Sequence, residues 1–233
     1  MSDGSGLSVN GLCAFYGRSQ ALFGVSMDAP ERGAVAVLGR NGAGKTTLMK
    51  TVVGELKASS GAVSLLGRNV THLPTERRVA LGLGYVPQEQ AVFSTLTVRE
   101  NLAVGALANN EQDAIERVLQ VFPKLAGRLG QVAGTLSGGE RKMLAISRAL
   151  LGNPKVLLLD EPTEGVWIGV IEEIAERLQR LAGQIVVVLV EQHLDLALRV
   201  ASYAYVLDRG RVVLEGSSKT VREDPRLLRY LAP

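Results

Sequence analysis

Apolar residues fall into short runs along this chain, and the spacing within each run predicts its element. Ala34-Val-Ala-Val-Leu38 is an unbroken apolar stretch ending in a glycine loop, the pattern of a parallel strand buried on both faces. Thr46 to Val53 reads as a helix, Gly61 to Gly67 as another strand, and Gly84-Tyr-Val-Pro87 as the end of a further one. Upstream, Leu7 to Leu38 reads as short strands and turns punctuated by Gly11, Gly17, Gly24, Pro30 and Gly33. From Thr97 to Gly152 the pattern turns helical: Ile115, Val118, Leu119 and Phe122 fall at i, i+3, i+4 and i+7 on one face. Lys155-Val-Leu-Leu-Leu-Asp160 returns to a buried strand, and Ile171, Ile174, Leu178 and Leu181 mark the next helix. Ile185 to Val190, Leu194 to Val200 and Tyr203 to Leu207 give strand, helix, strand. Asp208-Arg-Gly210 reads as a hairpin turn into Arg211-Val-Val-Leu214, and Val221 to Leu231 as a closing helix.

Strands alternating with helices predict an α/β fold: a parallel sheet with crossover helices, and a helical block inserted between two strands as a lobe. No internal repeat or low-complexity linker divides the 233 residues, so one folding unit is expected. Apolar residues at 46% and charged residues at 21% exclude a disordered or coiled-coil chain. The net charge of +3, from 26 basic and 23 acidic residues, argues against a nucleic-acid partner. The single cysteine, Cys13, excludes an internal disulfide and fits a reducing compartment. The polar start, Met1-Ser-Asp-Gly-Ser-Gly6, has no secretory signal pattern, and no window approaches the ~20 apolar residues of a membrane span. A cytoplasmic protein is expected, one that reaches a membrane only through a partner.

Gly39-Arg-Asn-Gly-Ala-Gly-Lys45-Thr46 matches G-x-x-x-x-G-K-[ST] between an apolar strand and a helix. Glycines at 39, 42 and 44 let backbone N–H groups close around phosphate oxygens, and the helix N-terminus adds partial positive charge. Lys45 would neutralise the β- and γ-phosphates, and the Thr46 hydroxyl would ligate Mg²⁺. A second carboxylate site belongs at the C-terminal end of a neighbouring strand, and Asp160 stands there as a candidate Mg²⁺ ligand. Glu161 follows it, placed to orient or deprotonate an attacking water. An isolated Asp-Glu pair is ordinarily a solvated turn, and only the phosphate loop upstream changes that reading. Leu136-Ser-Gly-Gly-Glu140 opens a helix and admits two readings: a second anion-binding N-terminus, or a plain capping box of Ser137 with Glu140.

Together with Gln88 in Tyr85-Val-Pro-Gln88 and His193 in Val190-Glu-Gln-His193, these segments resemble the ATP-binding cassette family in order and spacing along nearly the whole chain. The resemblance implies a P-loop nucleotide-hydrolase fold with a RecA-like parallel-sheet core, an antiparallel β subdomain and an inserted helical subdomain. It would span 7–231 as a single domain, with the helical subdomain at about 89–153. Mg-ATP is the implied ligand, held by Gly39, Asn41, Gly42, Gly44, Lys45, Thr46 and Thr47, with Tyr16 stacked on the adenine. The implied metal ligands are Thr46, Gln88 and Asp160. Glu161, His193 and Gln88 would serve catalysis, with His193 on the γ-phosphate. Ser137, Gly138 and Gly139 would contact the ATP of a second cassette subunit, so that two cassettes close on two nucleotides and move transmembrane permease subunits.

Tyr16-Gly-Arg-Ser-Gln-Ala-Leu22, Gly82-Leu-Gly-Tyr-Val-Pro-Gln88, Leu96-Thr-Val-Arg-Glu-Asn-Leu102, Thr163-Glu-Gly165 and Leu189-Val-Glu-Gln192 resemble the cassettes of branched-chain amino-acid importers and of urea and short-amide importers. That branch implies a different second cassette, a substrate-binding protein acting indirectly, a place on the inner face of the cell membrane and no C-terminal regulatory domain. A soluble cassette acting on ribosomes or DNA is the alternative from another class; it would carry two cassettes or a long coiled-coil insertion, and this chain has neither. In the loop after Thr163 the family has a small or acidic residue followed by proline, whereas Val166-Trp-Ile168 stands here. Trp167, the only tryptophan, is expected either on a partner cassette or folded inward.

Overall fold

The computed structural model describes residues 5–107 and 113–231. Two long strands open the chain, β1 (Ser5–Tyr16) and β2 (Ser19–Pro30), followed by β3 (Gly33–Leu38) and helix α1 (Lys45–Val53). Then come β4 (Ala58–Leu65), β5 (Arg68–Asn69), α2 (Thr75–Ala80) and β6 (Leu83–Val86). The next stretch holds α3 (Val98–Ala106), α4 (Ala114–Val121) and α5 (Gly138–Leu151), with short 3₁₀ turns between α4 and α5. The chain continues through β7 (Val156–Asp160), α6 (Ile168–Ala182), β8 (Val186–Glu191), α7 (Leu194–Val200), β9 (Tyr203–Asp208) and β10 (Arg211–Ser217). It closes with α8 (Ser218–Glu223) and α9 (Leu227–Leu231).

Six strands form the main sheet in the order β10-β9-β3-β8-β7-β6, and β1, β2, β4 and β5 form a second, antiparallel sheet. The main sheet is parallel except for β10 at its edge. Its central strands β3, β7 and β8 are apolar up to their last residue because both faces are covered. Val35, Val37, Leu158, Val188 and Val190 pack with Leu48, Met49 and Val52 of α1 and with the antiparallel sheet. Ala36, Leu38, Leu157, Leu159, Val187 and Leu189 face the other way, onto the core that α3 to α7 complete. Parallel pairing brings the C-terminal ends of β3, β7 and β8 to one edge, where Leu38, Asp160 and Glu191 emerge. The amphipathic stripes sit as the periodicity predicts: Val118 and Phe122 are buried, with Ile115 and Leu119 packed on the same core.

Two expectations are corrected. The stretch from residue 7 to 30 is not a set of short strands but two strands of 12 residues each. Gly11 (φ 57°) and Gly24 (φ 73°) sit inside them at left-handed torsions, where the β1–β2 register shifts. A glycine bulge bends a strand without ending it, so punctuation in the sequence became curvature in the sheet. The tail is not one helix from 221 to 231. It breaks between α8 and α9 at Asp224 (φ −73°, ψ 120°), because the proline at 225 disfavours helical torsions in the residue before it.

Helix α1 has opposite endings. Its N-cap, Gly44 (φ 105°), contributes no side-chain cap, so the first-turn N–H groups stay available. At the C-terminal end the buried guanidinium of Arg78 donates to the carbonyls of Thr51 (2.9 Å), Val52 (2.7 Å), Thr71 (2.9 Å) and Leu73 (2.9 Å). The β9–β10 hairpin turns through Arg209 (φ 46°) and Gly210 (φ 73°), the left-handed pair that a two-residue hairpin requires. A Cβ on Gly210 would lie 2.1 Å from the Ala21 carbonyl oxygen, and the Gly210 N–H donates to the Ala43 carbonyl at 2.8 Å. The hairpin is thereby pressed against the loop that precedes α1.

Candidate active site

Between β3 and α1, Gly39, Gly42 and Gly44 take left-handed torsions, and a Cβ on Gly39 would meet the Leu207 carbonyl oxygen at 2.4 Å. The loop they form borders a cavity of about 640 Å³. Asn41, Gly42, Gly44, Lys45, Thr46 and Thr47 line it from the loop, Gln88 and Glu161 from the sheet edge, and Gln20, Ala21, Phe23, Arg209 and Gly210 from the opposite wall.

Lys45 is buried and fully engaged. Its Nζ donates to the carbonyls of Gly39 (2.8 Å) and Arg40 (3.0 Å) and forms an ion pair with Glu161 Oε1 at 3.2 Å. Glu161 takes a left-handed torsion (φ 48°) just past β7, unusual for a non-glycine residue, and its N–H donates to the Val190 carbonyl at 2.9 Å. Its carboxylate accepts from Gln88 Nε2 at 3.0 Å and from Gln192 Nε2 at 3.0 and 2.9 Å. Gln88 also donates to Glu164 (2.9 Å). Lys142 on α5 reaches across to the carbonyls of Gln88 (2.9 Å) and Glu161 (3.1 Å). Burial holds the Lys142 ammonium below its usual pKa, and the surrounding Glu164, Glu191, Glu161 and Asp160 carboxylates partly offset that.

Asp160 is completely buried, and neither carboxylate oxygen has a hydrogen-bond partner. Burial pushes its carboxyl above the ordinary range and the Glu161 charge adds to this, against the pull of the nearby Thr46 hydroxyl and the Lys45 and Lys142 ammoniums. An orphaned buried carboxylate near the Thr46 hydroxyl is a hard-oxygen donor set. It suits Mg²⁺, a hard cation that takes oxygen ligands. A carboxyl whose folded pKa is raised contributes stability below its unfolded pKa, and that contribution is lost as pH rises through the raised value. Asp160→Asn is therefore expected to raise the ligand-free stability by about 1–3 kcal/mol at pH 8, and by less at pH 4, near the ordinary carboxylate value, where the buried carboxyl is protonated. The same variant should lose the extra stabilisation by ATP that depends on Mg²⁺. Thermal unfolding at the two pH values, with and without Mg-ATP, checks both.

Not every residue expected at the site is gathered there. Tyr16 ends β1 half exposed, and among the described residues the facing wall is made by Gln20, Ala21 and Phe23 instead. His193 caps α7 with its side chain exposed, and it lines a separate cavity with Ile171, Leu194, Arg199 and Arg222. Ser137, Gly138 and Gly139 begin α5, where Ser137 and Glu140 form the capping box. Gly138 lines a third cavity with Gln88, Lys142 and Glu164, apart from the phosphate loop. Trp167 does not fold inward: it is 75% exposed, with Ile168 beside it at 61%.

Four residues of the network lay outside the expected site: Gln192, Lys142, Glu191 and Glu164. Glu191 is buried and accepts from the Thr163 hydroxyl (2.6 Å) and N–H (3.1 Å) and from the Gln192 N–H (3.1 Å), fixing the loop after Glu161 to the end of β8. The adjacency of Glu191 and Gln192 to His193 was the one available signal.

The profile of the family described as ABC transporter matches residues 22–164. The high-affinity branched-chain amino acid transport ATP-binding protein BraG of Pseudomonas aeruginosa is 40% identical over 225 residues, covering 95% of this chain and 97% of that protein. The probable branched-chain amino acid transport ATP-binding protein LivF of Archaeoglobus fulgidus is 40% identical over 217 residues, with 91% and 92% covered. A solved ATP-binding cassette of an ABC transporter in its ADP conformation superposes with a TM-score of 0.87 at 28% identity, covering 98% of this chain and 99% of that one. Family profile, full-length relatives and overall fold agree, and the chain belongs to the ABC transporter family as one of its ATP-binding cassettes.

Proposed function

We propose that this cassette hydrolyses Mg-ATP to drive an importer of branched-chain or chemically related amino acids. The observation that carries the catalytic part is the contact of Lys45 with Glu161 at 3.2 Å under the phosphate loop, beside the orphaned Asp160 carboxylate. The full-length likeness to two branched-chain amino-acid transport subunits supports the cargo class.

The open N–H groups of the phosphate loop and of α1 bind the β- and γ-phosphates. Lys45 moves its charge from Glu161 to those phosphates, which releases the carboxylate to polarise a water. Thr46, Gln88 and Asp160 hold Mg²⁺, which when bound neutralises charge on the phosphate oxygens. Tyr16, at the end of β1, takes the adenine, and Phe23 lines the cavity wall. Ser137, Gly138 and Gly139, remote from the phosphate loop of their own chain, serve the nucleotide of a second cassette, and His193 joins the γ-phosphate once the two close. Among the described residues no helix is long and apolar enough to cross a membrane. In this reading force reaches the permease by docking at the inner face.

Trp167 and Ile168 are read as part of the cassette–cassette contact, as an exposed aromatic beside an exposed aliphatic residue prefers a partner surface to water. Trp167 emission is expected to shift to shorter wavelength when Mg-ATP closes the dimer, and an unchanged spectrum rejects this contact. The transport reading is tested by capturing tagged Glu161→Gln protein from membranes in mild detergent with Mg-ATP. Recovery of polytopic subunits and a second, different cassette supports it, and a co-purified binding protein that takes urea or short amides would redirect the cargo. Recovery of ribosomal or DNA-bound partners alone overturns transport and leaves hydrolysis standing.

A further inference from the structure

Lys142 belongs to α5, yet its ammonium ends at the edge of the main sheet. Nζ donates to the main-chain carbonyls of Gln88 at 2.9 Å and of Glu161 at 3.1 Å. The side chains of the same two residues also meet, Gln88 Nε2 donating to Glu161 Oε2 at 3.0 Å. The three residues close a ring of hydrogen bonds that joins α5 to the chain just past β6 and β7. We infer that Lys142 is a positioning residue for hydrolysis, holding the main chain of Glu161 in the conformation that aims its carboxylate at Lys45 and the cavity; this rests on Glu161 being the group that activates the attacking water.

The need for a clamp comes from the torsion. Glu161 sits at φ 48°, unfavourable to any residue with a Cβ, and such residues persist only where their surroundings fix them from several sides. On its N-terminal side β8 does this, since the Glu161 N–H donates to the Val190 carbonyl at 2.9 Å. On its C-terminal side the Glu161 carbonyl accepts from Lys142 at 3.1 Å and from the Glu164 N–H at 3.3 Å. Glu164 is part of the turn that Glu161 opens, so it cannot hold that turn against the rest of the protein. Lys142 comes from another element and can. Without it the peptide after Glu161 is free to rotate toward an ordinary torsion, and the carboxylate swings with it. Both partners of Nζ are main-chain oxygens, so Lys142 acts through Glu161 and Gln88 and not on a reacting atom. The fold has little need of the charge itself. A half-buried ammonium is costly to desolvate, and an apolar side chain recovers that cost against the two lost hydrogen bonds.

The test uses the purified full chain in single turnover, with protein in excess over Mg-ATP. Lys142→Met and Lys142→Gln are matched in length, and only Gln keeps N–H donors. Lys142→Met should slow the chemical step about 10- to 100-fold, the cost of a misaimed group, and Lys142→Gln should lose less. ATP should bind no more weakly to either, and the unfolding temperature should hold. In a Glu161→Gln background Lys142→Met should cost less than in the native chain, because the carboxylate it aims is gone. An unaltered rate in Lys142→Met overturns the inference, and so does a Gln variant as slow as the Met one. A loss that follows weaker ATP binding or a lower unfolding temperature, or an equal loss in the Glu161→Gln background, does the same. Native turnover in Glu161→Gln alone removes the Glu161 assignment and this inference with it, a result distinct from the others.

Discussion

Glu161→Gln is expected to bind Mg-ATP and hydrolyse it about 10²–10⁴-fold more slowly, the range a positioned general base contributes. The substitution keeps the shape of a side chain that accepts from Gln88 and Gln192 and contacts Lys45. Removing its charge changes two things at once. The water loses the group that polarises it, and Lys45 loses its resting ion pair. ATP then no longer competes with Glu161 for the Lys45 ammonium, so ATP affinity should rise as turnover falls. Single-turnover hydrolysis and equilibrium binding of ATP measure the two separately. Lower affinity in the variant would mean that the Lys45–Glu161 pair assists binding instead of opposing it.

Arg78→Ala is expected to destabilise the protein by about 3–5 kcal/mol, a large effect for a residue remote from the chemistry. Truncation leaves four carbonyls without their donor, two of them at the end of α1, and removes the bulk that fills the space beneath Gly54. Burial holds the Arg78 guanidinium below its usual pKa, which gives the measure of its desolvation, and only the fixed fork of donors compensates. Arg78→Lys should recover part of the loss, because a single ammonium cannot reproduce four contacts spread over two segments. For a chain of this length the Ala variant should unfold about 10 °C earlier. ATP should restore some of this stability by mass action, provided that α1 still presents its N-terminus.

Most of the fold was legible because both faces of the main sheet are buried. Continuous runs such as Val156 to Leu159 cannot be mistaken for surface strands, and the α6 and α7 stripes follow directly from helical spacing. The β1–β2 hairpin was not legible, because Gly11 and Gly24 look alike whether a chain turns or bulges at them. The phosphate loop, Asp160, Glu161 and Gln88 were legible since their chemistry depends on contiguous motifs. Gln192 and Lys142 were not, because their roles come from contacts across 31 and 54 residues that no local pattern records. Tyr16 and His193 were assigned from resemblance, and both stand outside the wall of the phosphate-loop cavity.

The strand order carries a consequence for how the protein is made. β3 leads directly into the phosphate loop, yet its neighbours in the sheet are β8 and β9, roughly 150 residues further on. At ordinary rates of synthesis β3 waits about 10–30 s after emerging before either neighbour exists. For that interval its apolar edges are unpaired and its glycine loop has no wall behind it. A chain halted anywhere between residues 47 and 186 holds the complete phosphate-binding motif and cannot yet build the nucleotide site. Such fragments should behave as aggregation-prone clients of chaperones, and the ability to bind ATP should appear late and all at once.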